Sequence, residues 1–96
     1  MENLNSIKEI LGKHKNRLSD KYGLSQLAIF GSYARSQQRE NSDVDILVDF
    51  NKPIGLEFID LAEELEQILN LKVDLVSKKG IRKKYFKSIE KELNYV

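Results

Sequence analysis

Gly31-Ser32-Tyr33-Ala34-Arg35-Ser36-Gln37-Gln38-Arg39-Glu40-Asn41-Ser42-Asp43-Val44-Asp45 is the stretch around which the rest of the chain is organised. It opens where the apolar run Leu27-Ala28-Ile29-Phe30 ends, and closes where a second run, through Phe50, begins. Both runs are rich in β-branched or aromatic residues and of strand length. A Gly-Ser pair ends the first, and a polar loop from Ser36 to Ser42 leads to the second. Side chains alternate across a strand, so Asp43 and Asp45 project from one face, with Cα atoms about 6–7 Å apart. A third carboxylate, Asp74, interrupts the later run Val73-Asp74-Leu75-Val76.

Working outward, Leu4, Ile7, Ile10, Leu11, His14 and Leu18 recur at helical spacing, with Gly23 as the stop. The pattern predicts a helix over roughly 4–20, entered through a capping box between Ser6 and Glu9. Strands follow over 24–30 and 43–50, separated by a brief helix over 33–38. Asn51-Lys52-Pro53-Ile54-Gly55 breaks the second strand. Leu56, Ile59, Ala62, Leu65, Ile68 and Leu69 mark the clearest amphipathic helix, 55–69. A third strand over 72–76, a helix over roughly 81–93 and a few strand residues at 94–96 complete the pattern. Strands alternating with helices predict an α/β (α+β) fold: a small mixed sheet of three to four strands flanked by helices. Periodicity leaves open whether the strands flanking the polar loop run parallel or antiparallel.

The chain has 96 residues, the size of one domain spanning 1–96. Sixteen basic and 15 acidic side chains give a net charge of +1, with no global pull toward nucleic acid or membrane. The charge is unevenly placed. Residues 77–96 carry a local +5, from Lys78, Lys79, Arg82, Lys83, Lys84, Lys87 and Lys91 against Glu90 and Glu92. The plainer reading of that tail is a solvated helix face; no aromatic interleaving supports nucleic-acid binding. Absence of cysteine excludes disulfides and thiolate metal sites. The N-terminus lacks the basic and apolar regions of a signal peptide, and no apolar stretch has membrane-spanning length, so a cytoplasmic protein is expected.

Three acids on strand-like segments beside a glycine turn are the residue types that metal-assisted phosphoryl chemistry requires. Two carboxylates at this spacing reach one divalent ion from two sides, or bridge ions held about 3.5–4 Å apart. Mg²⁺ takes oxygen ligands and keeps several waters. For Asp43 alone an ordinary turn role is the better explanation. Asp45 lies between Val44 and Ile46-Leu47-Val48, where an unpaired charge is costly. Asp49 falls near the end of the run and is read as exposed. Glycine allows backbone to approach a phosphate closely, and Ser32 offers a hydroxyl and an amide. The stretch is not a P-loop, because the Gly-Lys-Ser/Thr ending is missing. Arg35 and Arg39 are guanidiniums near the turn, the first balanced between function and solubility, the second read as a surface group. His14 and the four tyrosines are read as packing groups, with Tyr33 alone placed to approach a nucleotide base.

Gly31-Ser32, ten intervening residues, Asp43-Val44-Asp45 and then Asp74 together resemble the minimal nucleotidyltransferases of the polymerase-β superfamily. Gly31-Ser32-Tyr33-Ala34-Arg35, then Arg39 and Ser42-Asp43-Val44-Asp45-Ile46, are closest to the MNT antitoxins that accompany HEPN toxins. The chain departs from their usual loop at Ser36, where glycine is frequent, and at Gln37-Gln38. The resemblance implies a nucleotidyltransferase-like fold over nearly the whole length. It implies that Asp43, Asp45 and Asp74 hold two Mg²⁺ ions and carry catalysis. Gly31, Ser32 and Arg35 would bind ATP. The implied reaction moves AMP to a tyrosine of a HEPN-family ribonuclease toxin, silencing it with release of pyrophosphate. Two alternatives stand beside it: a nucleotidyltransferase for an antibiotic-like small molecule, and an antitoxin acting by steric binding alone.

Overall fold

The computed structural model describes residues 2–96. Helix α1 covers Leu4–Tyr22, strand β1 Leu24–Phe30, the single-turn helix α2 Gly31–Ala34 and strand β2 Val44–Phe50. Helix α3 spans Glu57–Leu69, strand β3 Val73–Ser77 and helix α4 Lys83–Ile89; a 3₁₀ turn at Glu90–Glu92 leads to the short strand β4, Asn94–Tyr95. The expected alternation is present in full.

The four strands form one mixed sheet in the order β3-β2-β1-β4. β1 runs antiparallel to β2 and to β4, whereas β2 and β3 are parallel. This settles the question that periodicity left open. Parallel neighbours need a long crossover, and α3 is that crossover.

The two faces of the sheet differ. Leu27 and Ile29 of β1 and Val44, Ile46, Val48 and Phe50 of β2 point to one side. There they meet Ile7, Leu11, Leu18 and Tyr22 of α1 and Leu61, Leu65 and Leu69 of α3. This is the main core. Phe30 and Leu47 point to the other side, where Ile89 of α4 covers them with help from Val76, Ile81, Phe86 and Leu93. Asp45 and Asp74 belong to this thinner face by strand alternation.

Several local expectations are corrected. The capping box exists one turn earlier: the Asn3 side chain accepts from the Ser6 amide at 2.9 Å, and the Asn3 amide donates to Ser6 Oγ at 3.1 Å. Asn caps as well as Ser; the helix itself begins at Leu4 as expected, and Leu4 packs on the main core. The stop is as read, with Gly23 at φ 72° donating to the Ser19 carbonyl. The brief helix sits at Gly31–Ala34 rather than 33–38, because Ser36 takes a left-handed conformation, φ 56°. The last helix ends at Ile89 and tightens into the 3₁₀ turn instead of continuing to 93. Tyr22 and Tyr33 are packed, but Tyr85 and Tyr95 are about half exposed. Asp49 is half-buried rather than free, and its side chain accepts from the Phe50 amide.

Candidate active site

Strand register brings the acids together. In the parallel β2–β3 pair, Asp45 lies opposite Asp74. In the antiparallel β1–β2 pair, Phe30 lies opposite Asp45. The next residue, Gly31, therefore turns the chain directly over the Asp45 carboxylate. A Cβ added to Gly31 would stand 1.9 Å from Asp45 Oδ2, and the residue's φ of +77° disfavours any side chain. Glycine is required here for two independent reasons. The first stretch of the polar loop thus folds back onto the second strand, and the motif closes on itself.

The electrostatics of the pair are those of crowded like charges. The Asp45 carboxyl is pushed up to about 6, by burial first, then by the Asp74 carboxylate beside it and by Asp43; Arg35 pulls weakly the other way. Asp43 and Asp74 are exposed, while Asp45 is half-buried. The paired Asp45 and Asp74 carboxylates are hard oxygen donors, and a divalent cation between them would relieve the repulsion that adds to the effect of burial on Asp45. Among the described residues no three acidic or histidine side chains are gathered into a ready-made cage.

The Gly31 amide donates to Glu92 Oε1 at 2.9 Å. Arg35 Nη1 reaches both oxygens of the same carboxylate, at 3.0 and 2.9 Å. Its Nε holds Gln37 Oε1 at 3.0 Å. The Ser32 side chain has no hydrogen-bond partner among the described residues, which leaves its hydroxyl available. Tyr33 is 2 % exposed and packs in the main core, so it does not face the site. Arg39 is a surface group, as read. Glu92 is the one participant that sequence reasoning missed. It lies 61 residues from Gly31, in a basic segment where it counted only as charge.

The roomiest concavities lie elsewhere. One of about 510 Å³ is formed by Asp49–Ile54, Ser77 and Lys79 at the far end of β2, and another by Phe58, Leu75, Val76, Ile81, Arg82 and Tyr85 among others. The acid end borders only a shallower cleft of about 380 Å³, lined by Glu40–Asp43 and Asn70–Lys72. The acids stand on an open surface rather than in an enclosed pocket. Among the described residues no helix is long and apolar enough to cross a membrane. The basic side chains of α4 and its approach, including Lys83, Lys84 and Lys87, are exposed and make no ion pair among the described residues.

Residues 11–95 match the nucleotidyltransferase domain family, and the chain belongs to it. It is a nucleotidyltransferase with a mixed four-stranded sheet. A candidate protein adenylyltransferase of Methanocaldococcus jannaschii is 54% identical over the full length of both chains. The protein adenylyltransferase MntA of Thermococcus cleftensis is 44% identical over all of this chain and 98% of its own. Among solved structures, a candidate minimal nucleotidyltransferase superposes with a TM-score of 0.77 at 28% identity, covering 94% of this chain and 95% of that one. An MNT antitoxin bound to a tri-AMPylated HEPN toxin of Shewanella oneidensis is also similar. Its TM-score is 0.70 at 22% identity, covering 93% of this chain and 70% of that one, and this likeness speaks for the fold.

Proposed function

We propose that this chain is an antitoxin that transfers AMP from ATP to a tyrosine hydroxyl of a HEPN-family toxin and thereby silences it. The observation that carries the reading is the register of Asp45 with Asp74 beneath the Gly31 turn. It puts acids and an anion-binding bend at one end of one sheet. The full-length likeness to MntA supports the choice of a protein acceptor. So does the open acid end, which leaves the acceptor surface to be supplied by a partner.

In this reading Asp43, Asp45 and Asp74 would hold two Mg²⁺ ions. When bound, the ions neutralise phosphate charge and lower the pKa of the attacking hydroxyl. The Gly31 amide, the Ser32 hydroxyl and the Arg35 guanidinium hold the triphosphate by charge-assisted hydrogen bonds. The tyrosine oxygen attacks the α-phosphorus. The bond from that phosphorus to the bridging oxygen breaks in line, and pyrophosphate leaves. Asp74, exposed at the edge of the sheet, takes the tyrosine proton.

The test is transfer of label from α-labelled ATP to the cognate toxin with Mg²⁺. The wild-type chain is expected to label the toxin and abolish its ribonuclease activity. The double variant Asp43→Asn/Asp45→Asn should bind the toxin and label nothing. Full neutralisation of the toxin by that double variant would replace catalysis with steric inhibition. Labelling of a small hydroxylated molecule in place of the toxin would redirect the reading to the small-molecule class.

A further inference from the structure

We propose that the Glu92 carboxylate is a built-in competitor for the polyphosphate seat, which nucleotide must displace to bind. The proposal rests on the reading of the Gly31–Ser32 turn as a nucleotide site. Glu92 engages a backbone N–H and a guanidinium at once, Gly31 at 2.9 Å and Arg35 at 3.0 and 2.9 Å. These are the donor types that hold phosphoryl oxygens, and a carboxylate presents two anionic oxygens with similar spacing. The Gly31 amide has a single N–H and Glu92 already takes it, so phosphate and Glu92 compete for it, and both also draw on the Arg35 guanidinium.

The way the segment is pinned says what has to move. Ile89 is buried on the thin face of the sheet, and Leu93 packs against the same cluster. Asn94 and Tyr95 pair with Ile29 and Ala28. The Val96 amide donates to the Leu27 carbonyl at 2.9 Å, and Lys15 Nζ donates to the Val96 carbonyl at 2.6 Å. The backbone on both sides of Glu92 is therefore fixed. Displacement needs only rotation of the Glu92 side chain toward solvent, where about a fifth of it is already exposed. The strand β4 stays paired.

Tethering makes the competitor selective. A carboxylate held next to its donors acts at an effective concentration in the millimolar range, without any entropy of association. A lone phosphate gains too few contacts to displace it. A triphosphate that also engages Ser32 and the acid-held cations gains enough. The empty site thus keeps Arg35 neutralised and rejects small anions.

The experiment measures binding of Mg²⁺–AMP-PNP and of inorganic tripolyphosphate by calorimetry. The proteins are the wild type, Glu92→Gln, Glu92→Asp and Glu90→Gln, the last an exposed neighbour with the same change in charge. Both ligands should bind roughly three- to tenfold more tightly to Glu92→Gln. Glu92→Asp, which keeps the charge but draws it back by one methylene, should show a smaller gain and carries the test if Glu92→Gln fails to fold. Glu90→Gln should match the wild type. Equal or weaker binding to both Glu92 variants overturns the proposal and makes Glu92 a support for Arg35. An equal gain in Glu90→Gln overturns it in favour of general charge. Failure of every protein, wild type included, to bind AMP-PNP overturns the nucleotide reading itself along with it.

Discussion

Asp45 and Asp74 are direct neighbours across the parallel β2–β3 ladder, so two carboxylates far apart in sequence share one position on the thin face of the sheet. Burial first, and the Asp74 carboxylate second, raise Asp45 to about 6, while Asp74 keeps its access to solvent. The two acids accordingly differ in task. In the proposed reaction Asp45 would be the half-buried ligand, and Asp74, being exposed, would face the acceptor. Asp74→Asn should reduce transfer by about 10²- to 10⁴-fold and change nucleotide affinity only a few-fold. Single-turnover labelling alongside calorimetry measures both. Loss of nucleotide binding together with transfer would assign Asp74 to the substrate seat instead.

Gly31→Ala meets Asp45 in two ways, through its left-handed backbone and through a Cβ 1.9 Å from Oδ2. The variant should lose about 2–4 kcal/mol of stability in urea denaturation. Adding Asp45→Ala removes the oxygen that the new methyl strikes. The double variant should regain part of the loss, because only the backbone strain and the approach to Cβ remain. Simple additivity of the two changes would show that the contact between them is not the cause.

Ser36 occupies a left-handed conformation at φ 56°, the backbone region that favours glycine. For a residue with a Cβ this costs about 1–2 kcal/mol, partly offset by the lower chain entropy of serine when unfolded. Ser36→Gly should therefore stabilise the protein by roughly 0.5 kcal/mol. A drop in the urea midpoint would mean that the serine side chain supplies a stabilising contact.

Glu64 of α3 joins the two helices of the main core. It accepts from Tyr22 Oη at 2.7 Å and Lys21 Nζ at 3.1 Å, and it pairs with Arg17. Hydrogen bonding to Arg17 is the main cause that holds its carboxyl down at about 2, from an ordinary 4.5. A carboxyl lowered in the folded state contributes stability that is complete above its unfolded value and is lost as pH falls through the folded one. The increment should be full above pH 4.5 and vanish toward pH 2. Solvent around Arg17 and Lys21, both about half exposed, limits it to about 1–2 kcal/mol. Glu64→Gln should lower stability by that amount at pH 7 and flatten the pH dependence over this window. An unchanged slope would locate the acid sensitivity elsewhere.

Where sequence reasoning succeeded, the physics was local. The stop at Gly23, the strands beside the polar loop and the span of α3 follow from nearest-neighbour sterics and from the period at which apolar residues recur, although Leu56 and Ile59, read as part of the inward face of α3, are exposed. Errors came where two local solutions compete closely. Asn3 and Ser6 both cap helices well, and Asn3 took the cap of the helix that begins, as expected, at Leu4. The pattern of Ile81, Tyr85, Ile89 and Leu93 reads as one helix. Yet the chain leaves the helix after Ile89, and Leu93 packs from the other side of a 3₁₀ turn.

The sequence by itself determined that two acids stand one residue apart at the start of the second strand, that a glycine bend precedes them and that strands and helices alternate, since each depends on backbone geometry within a few residues. Only the tertiary structure decided that Asp74 stands beside Asp45, that Gly31 lies against the Asp45 carboxylate and that Glu92 closes over both Gly31 and Arg35. Those contacts are set by strand order and register, which emerge from burying two unequal faces of one sheet. No spacing along the chain encodes them.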